Sequence, residues 1–165
     1  RAVEIRLKGA GTGIAATGIS KIIVISTYLF AITGITVVAS AYISSRTGYM
    51  YFALSAAEFL LLIPFCISFA AFINMVFVMA GTETGGCQSL LIAAVFLLIF
   101  GGGILPAVYY PQFVQKITFL LPLKYWIGYI ESTFFGKTDG QKILIQFIMA
   151  AVFIFAAYAA DRRTA

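Results

Sequence analysis

Four stretches of this chain, residues 22–43, 59–80, 89–110 and 143–160, contain no Asp, Glu, Lys or Arg. A helix rises 1.5 Å per residue, so about twenty apolar residues cross a hydrocarbon layer of ~30 Å. The first three runs meet that length and the fourth lies near its lower limit. They are solid apolar blocks without the period-2 alternation of a transmembrane strand, which excludes a β-barrel. The expected fold is all-α: a polytopic membrane helix bundle with four transmembrane helices.

Composition agrees. Of 165 residues, 62% are hydrophobic and 10% charged, with a mean hydropathy of +1.02. A soluble domain of this size cannot bury so much apolar surface, so lipid is its natural solvent. The net charge of +5 comes from eleven Lys and Arg against six Asp and Glu. These basic residues lie in the connections between apolar runs, which points to orientation against a membrane and not to nucleic acid. Arg1, Arg6, Lys8, Lys21, Arg162 and Arg163 flank the set of runs, and the other five basic residues fall between runs. Four crossings put both ends on one side. Placing them in the cytoplasm of a cell-membrane protein sets six basic residues inside and five outside. The polar, glycine-containing opening at Arg1 has no signal-peptide layout and reads as the interior of a longer protein.

Residues 111–140 differ. They are apolar but interrupted by Lys116, Pro122, Lys124, Glu131 and Gly136. Phe113, Val114, Ile117, Leu120 and Leu121 recur at helical spacing, with Gln112, Gln115 and Lys116 between them. That pattern suits a short amphipathic helix. Tyr109, Tyr110, Tyr125, Trp126 and Tyr129 crowd the region, and such rings favour the headgroup level. The expectation is a re-entrant or interfacial pair of short helices, not a fifth crossing.

Catalytic chemistry finds little support. The chain has no His, no metal-ligand cluster and no Walker A pattern, so any ATP hydrolysis belongs to another subunit. The glycines between Gly9 and Gly13 follow no strand and miss the dinucleotide spacing. Cys66 and Cys87 fall at different depths, which argues against a disulfide. Glu58, at the head of the second run, is either a residue of a translocation path or an interfacial acid favoured by the helix dipole. Pro64 is expected to kink that helix and Asn74 to hydrogen-bond a neighbour; either could also meet a substrate. Gly101, Gly102 and Gly103, followed by Pro106, should end the third helix, as simple termination or as a gate.

The order Gly103, Ile104, Leu105, Pro106, then Pro111, then Leu121, Pro122, Leu123, Lys124, Tyr125, Trp126 resembles the C-terminal signature of ABC-2-type permeases, the membrane subunits of ATP-binding-cassette exporters. Residues 16–21 resemble that family's cytoplasmic segment before its third helix, with Gly18 where the family often has Pro. The resemblance covers nearly the whole chain and implies the third to sixth helices of a six-helix permease. It implies that residues 1–21 form a coupling segment docking on a separate ATPase subunit, with Arg6, Lys8, Thr17, Ser20 and Lys21 as contacts. It also implies a homodimer or heterodimer of permeases, an outer gate at Gly103, Pro106, Pro111, Pro122 and Tyr125, and no cofactor in this chain, ATP being bound by the partner. Glu58 and Asn74 are the pathway candidates. A secondary transporter or channel, and a non-transporting scaffold, remain the alternatives.

Overall fold

The computed structural model describes residues 14–47, 56–101, 109–118, 121–134 and 140–164. Among these the secondary structure is helical throughout: α1 (Ile14–Thr47), α2 (Ala56–Leu60), α3 (Ile63–Ala80), α4 (Glu83–Phe100), α5 (Gln112–Thr118), α6 (Pro122–Phe134) and α7 (Gly140–Thr164). Three helical stretches are long and apolar enough to cross a membrane, at Thr17–Thr47, Glu58–Ala80 and Gly140–Asp161. The third apolar run forms the shorter α4, which starts six residues before the expected span and is over by Gly101. The chain is a polytopic all-α membrane bundle.

Helix α1 begins well before residue 22, so Thr17, Ser20 and Lys21 belong to it and not to a preceding segment. Gly18 does not break it. The hydroxyls of Ser26, Thr27, Thr33 and Thr36 donate to carbonyls three or four residues back, which hides them from hydrocarbon. Around Pro64 the expected kink is a full interruption. Leu61 and Leu62 form a turn between α2 and α3, and the proline sits in the first turn of α3, where its missing N–H costs nothing. At the other end of α3, only Gly81 and Thr82 separate it from α4. Gly81 has φ 68°, a left-handed cap that favours glycine, and Thr82 Oγ1 accepts from the Gly85 N–H at 3.1 Å.

Contacts order the helices. Ile22 packs on Ala70 and Ala71, while Phe30 stacks 4.6 Å from Phe59, so α1 runs antiparallel to α3. Ile143, Ile145 and Met149 pack around Leu62 and Phe65, and Phe72 meets Phe153 at 5.3 Å, so α7 runs parallel to α3. A Cβ added at Gly86 would lie 2.5 Å from the Phe77 ring, and one at Gly101 would lie 2.9 Å from Leu123 Cβ. Thus α4 climbs from the far end of α3 to the level of α6. The starts of α1 and α4 and the ends of α3 and α7 share one end of the bundle. The α5–α6 pair sits at the other, called here the hairpin end.

Helix α3 is the centre, packed by α1, α4, α6 and α7. Its small residues Cys66, Ser68, Ala70 and Ala71 are buried and let neighbouring backbones approach. Helix α1 instead leaves Tyr28, Ile35, Val38 and Tyr42 exposed, a surface suited to lipid.

Candidate functional site

Helix α6 does not lie flat on the bundle. Its first residue is tied beside Gln146 and its Gly128 beside Lys142, so it runs antiparallel to α7. Trp126 meets Phe69 edge-on at 5.6 Å, one to two turns below Leu62. Helix α6 therefore packs against α3 and α7 and rises from the level of Gln146 to the hairpin end.

A main-chain carbonyl has two lone pairs, so one already in a helix ladder can still accept a second donor from a neighbouring element. Side chains from other elements supply three. Gln146 Nε2 donates to the Pro122 carbonyl at 2.9 Å, in full burial. Lys142 Nζ donates to the Gly128 carbonyl at 2.7 Å and to Ser132 Oγ at 2.6 Å, and Ser132 Oγ donates to the same carbonyl at 2.7 Å. Tyr129 Oη donates to the Glu58 carbonyl at 3.3 Å. Beneath these clamps Leu62, Phe65, Tyr125 and Tyr129 form a buried cluster. Lys124 Nζ donates to Thr118 Oγ1 at 3.2 Å, tying α6 back to α5. Burial raises the Tyr125 phenol above its ordinary pKa. The arrangement holds a helix in place; among the described residues no group of His, Cys, Asp or Glu could hold a metal.

The expected site residues divide between the two ends. Pro111 precedes α5 and is exposed, whereas Pro122 opens α6 and Tyr125 is buried one turn on, so all three belong to the α5–α6 pair. Gly103 and Pro106, like Arg6 and Lys8, lie outside the described residues. Thr17, Ser20 and Lys21 share one face of α1 at the opposite end, where Ser20 Oγ donates to the Thr17 carbonyl at 2.9 Å. Glu58 is half-buried at the hairpin end. Asn74 lies sixteen residues on, roughly 24 Å along the helix axis, so the two pathway candidates are not brought together. Asn74 is buried yet makes no hydrogen bond among the described residues, contrary to the expected interhelical bond. Both cysteines are free. Tyr125 and Tyr129 turn into the core and do not join an interfacial belt, whereas Tyr109 is exposed.

Sequence reasoning passed over Lys142 and Gln146. Their signal was a pair one turn apart at the head of an otherwise apolar helix, facing the same neighbour. Gly101 now has a specific role, because its missing side chain lets α4 touch α6. Gly101→Ala should lower bundle stability by about 1–3 kcal/mol through overpacking against Leu123. Thermal unfolding in detergent tests this, and an unchanged midpoint would remove the close contact from the account.

No family model, curated protein or solved structure matches the chain. Its function is therefore read from its own geometry: a polytopic helical membrane protein with an extra interfacial segment of short helices, an architecture consistent with a transport-related role.

Proposed function

We propose that this chain is the transmembrane permease subunit of an ATP-binding-cassette exporter of the ABC-2 type, lining the substrate path and coupled to a separate ATPase subunit. The observation that carries the reading is the pair of short helices α5 and α6. Two short helices, opening directly after Pro111 and at Pro122, fold back between α4 and α7, where the permease-like motif stands in the sequence. Helix α1 supplies a mechanical link. It is continuous from Thr17, Ser20 and Lys21 at one end to the wall facing Trp126 at the other. A push from a closing ATPase on the first end would rock α1 against the clamped α3–α6–α7 unit. Two permease copies, identical or related, would enclose the path between them.

The deciding experiment is co-purification of the full-length protein in mild detergent, followed by vesicle transport. An ATPase subunit should come with it, and Lys21→Glu should weaken that association. Transport that persists without ATP and without an attached ATPase would overturn the reading.

Orientation follows from the same reading, with the ends of the bundle that carry Thr17 and Asp161 in the cytoplasm. Cys87 is exposed and Cys66 buried, so Cys87 is a native reporter. A membrane-impermeant maleimide should label Cys87 only after permeabilisation. In a Cys87→Ser background, Ser45→Cys should label in intact cells. The reverse pattern would invert the topology.

A further inference from the structure

The hydroxyls of Ser26, Thr27, Thr33 and Thr36 on α1 return to carbonyls of their own helix. The hydroxyl of Ser68 on α3 does not. Ser68 is fully buried, and its Oγ has no hydrogen-bond partner among the described residues. Two more buried polar atoms share that condition, Trp126 Nε1 on α6 and Gln146 Oε1 on α7. A buried polar atom without a partner is costly, so three of them on three neighbouring helices call for a common cause.

The contacts bring the three to one place. Phe65, Ser68, Phe69 and Phe72 stand on one side of α3 at helical spacing. Phe69 meets Trp126 edge-on at 5.6 Å, and Phe72 meets Phe153 at 5.3 Å. Ser68 thus faces the seam between α6 and α7. The parallel register that sets Phe72 against Phe153 puts Gln146 level with Phe65, less than one turn from Ser68. The Gln146 amide reaches across to the Pro122 carbonyl at 2.9 Å, and Trp126 stands one turn after Pro122 on the same side of α6. Ala150, one turn beyond Gln146 on α7, is buried and contributes only a methyl group to the seam.

We infer that one water molecule is bound where α3, α6 and α7 meet, accepting from Trp126 Nε1, donating to Gln146 Oε1 and hydrogen-bonded to Ser68 Oγ. The chemistry of the set selects the ligand. The indole N–H only donates and the amide oxygen only accepts, whereas the hydroxyl does either. The first repels a cation and the second an anion. Water offers both functions in one small body, and three hydrogen bonds are its usual complement in a protein interior. All three atoms are buried within a single chain, so neither a lipid chain nor a second copy reaches them. Because Gln146 Nε2 already holds the Pro122 carbonyl, the water ties the α6–α7 clamp to α3. The site needs only this packing, so it stands apart from the exporter reading.

Trp126 is the only tryptophan, so its indole gives a single nitrogen-bound proton resonance. The full chain, carrying isotopically labelled tryptophan, is held in deuterated detergent micelles and observed by NMR. The indole proton should resonate downfield, as a hydrogen-bonded group does, and show a cross-peak to water with the sign of a long-lived bound molecule. Gln146→Leu removes the acceptor and should abolish the cross-peak and move the resonance upfield. Ser68→Ala should weaken the cross-peak, with helix content unchanged in both variants. Ser68→Ala leaves the α6–α7 contacts intact, so its effect separates loss of the water from loosening of α6. An indole proton without a water cross-peak in the unmodified chain, including one bonded directly to Gln146, would overturn the proposal. So would a cross-peak that survives Gln146→Leu unchanged. A cross-peak unaltered in Ser68→Ala would overturn the contact to α3.

Discussion

Replacing Tyr129 by alanine is expected to detach α6 from the bundle. Tyr129 is fully buried, the largest such side chain among the described residues, and its ring lies 5.0 Å from that of Phe65. Truncating a buried aromatic leaves a cavity that helices fixed by their own hydrogen bonds fill poorly, at a cost of about 3–5 kcal/mol. The lost hydroxyl contributes little of this. At 3.3 Å its bond to the Glu58 carbonyl is long, so Tyr129→Phe should stay within about 1 kcal/mol. Trp126 reports the outcome, because it is one turn from Tyr129 and packs on Phe69. In Tyr129→Ala the emission should shift to the red and become open to a water-soluble quencher, with a lower unfolding midpoint in detergent. A variant with wild-type emission and midpoint would mean that the aromatic cluster does not hold α6.

Lys142→Met should give the second large effect, about 2 kcal/mol, by removing charge-assisted hydrogen bonds to the Gly128 carbonyl and Ser132. Methionine keeps most of the stem that covers Gly128, so the loss isolates the ammonium. Hydrogen exchange should quicken in the last turn of α6, with little change in α3. Gln146→Leu makes the contrast. It strips the donor from the Pro122 carbonyl, but it also removes a buried amide oxygen, Gln146 Oε1, that has no partner among the described residues. The Pro122 carbonyl keeps its place in the α6 ladder and loses only its second donor, so the net change should stay below about 1 kcal/mol. Equal losses in the two variants would show that burial of the polar groups, not the charge, sets the strength of the clamp.

How far the sequence reached can be judged residue by residue. Charge-free runs located the apolar helices, because hydrocarbon admits only backbone that satisfies itself. Pro111 and Pro122 marked the openings of α5 and α6, because proline restricts its own φ and the residue before it wherever it occurs. Pro64 marked the break before α3 on the same ground. Helix ends were less legible. Helix α1 extends eight residues before its apolar run, since hydropathy reports the solvent and not the hydrogen-bond ladder. Helix α4 ends at Gly101, the first of the three glycines expected to end it, although its apolar run continues to Tyr110.

The facing of side chains was not legible. Tyr125 and Tyr129 have the composition of an interfacial belt and turn inward instead, because α6 dips beside α3 and needs rings to fill the gap. Lys142 reads in sequence as a loop charge, yet it donates to the Gly128 carbonyl inside α6. Asn74 reads as an interhelical donor, yet it finds no partner among the described residues. Each outcome depends on which helix stands opposite, and in a bundle of similar apolar helices residue spacing alone does not name the neighbour.

The sequence by itself determined that this chain lives in a membrane, that its apolar runs are helices, and that residues 111–140 do not cross as one helix. Those properties follow from transfer of side chains and backbone into lipid, which is local. Only the tertiary structure decided that α3 is the central helix, that α6 packs antiparallel to α7 at the hairpin end, and that Tyr129, Lys142 and Gln146 clamp it. These depend on contacts between residues far apart in the chain, such as Glu58 and Tyr129 or Phe72 and Phe153, where helices compete for the same small-residue surface. The broken, proline-marked segment was visible as an interruption in the sequence; the structure gave it a direction, a depth and the side chains that hold it.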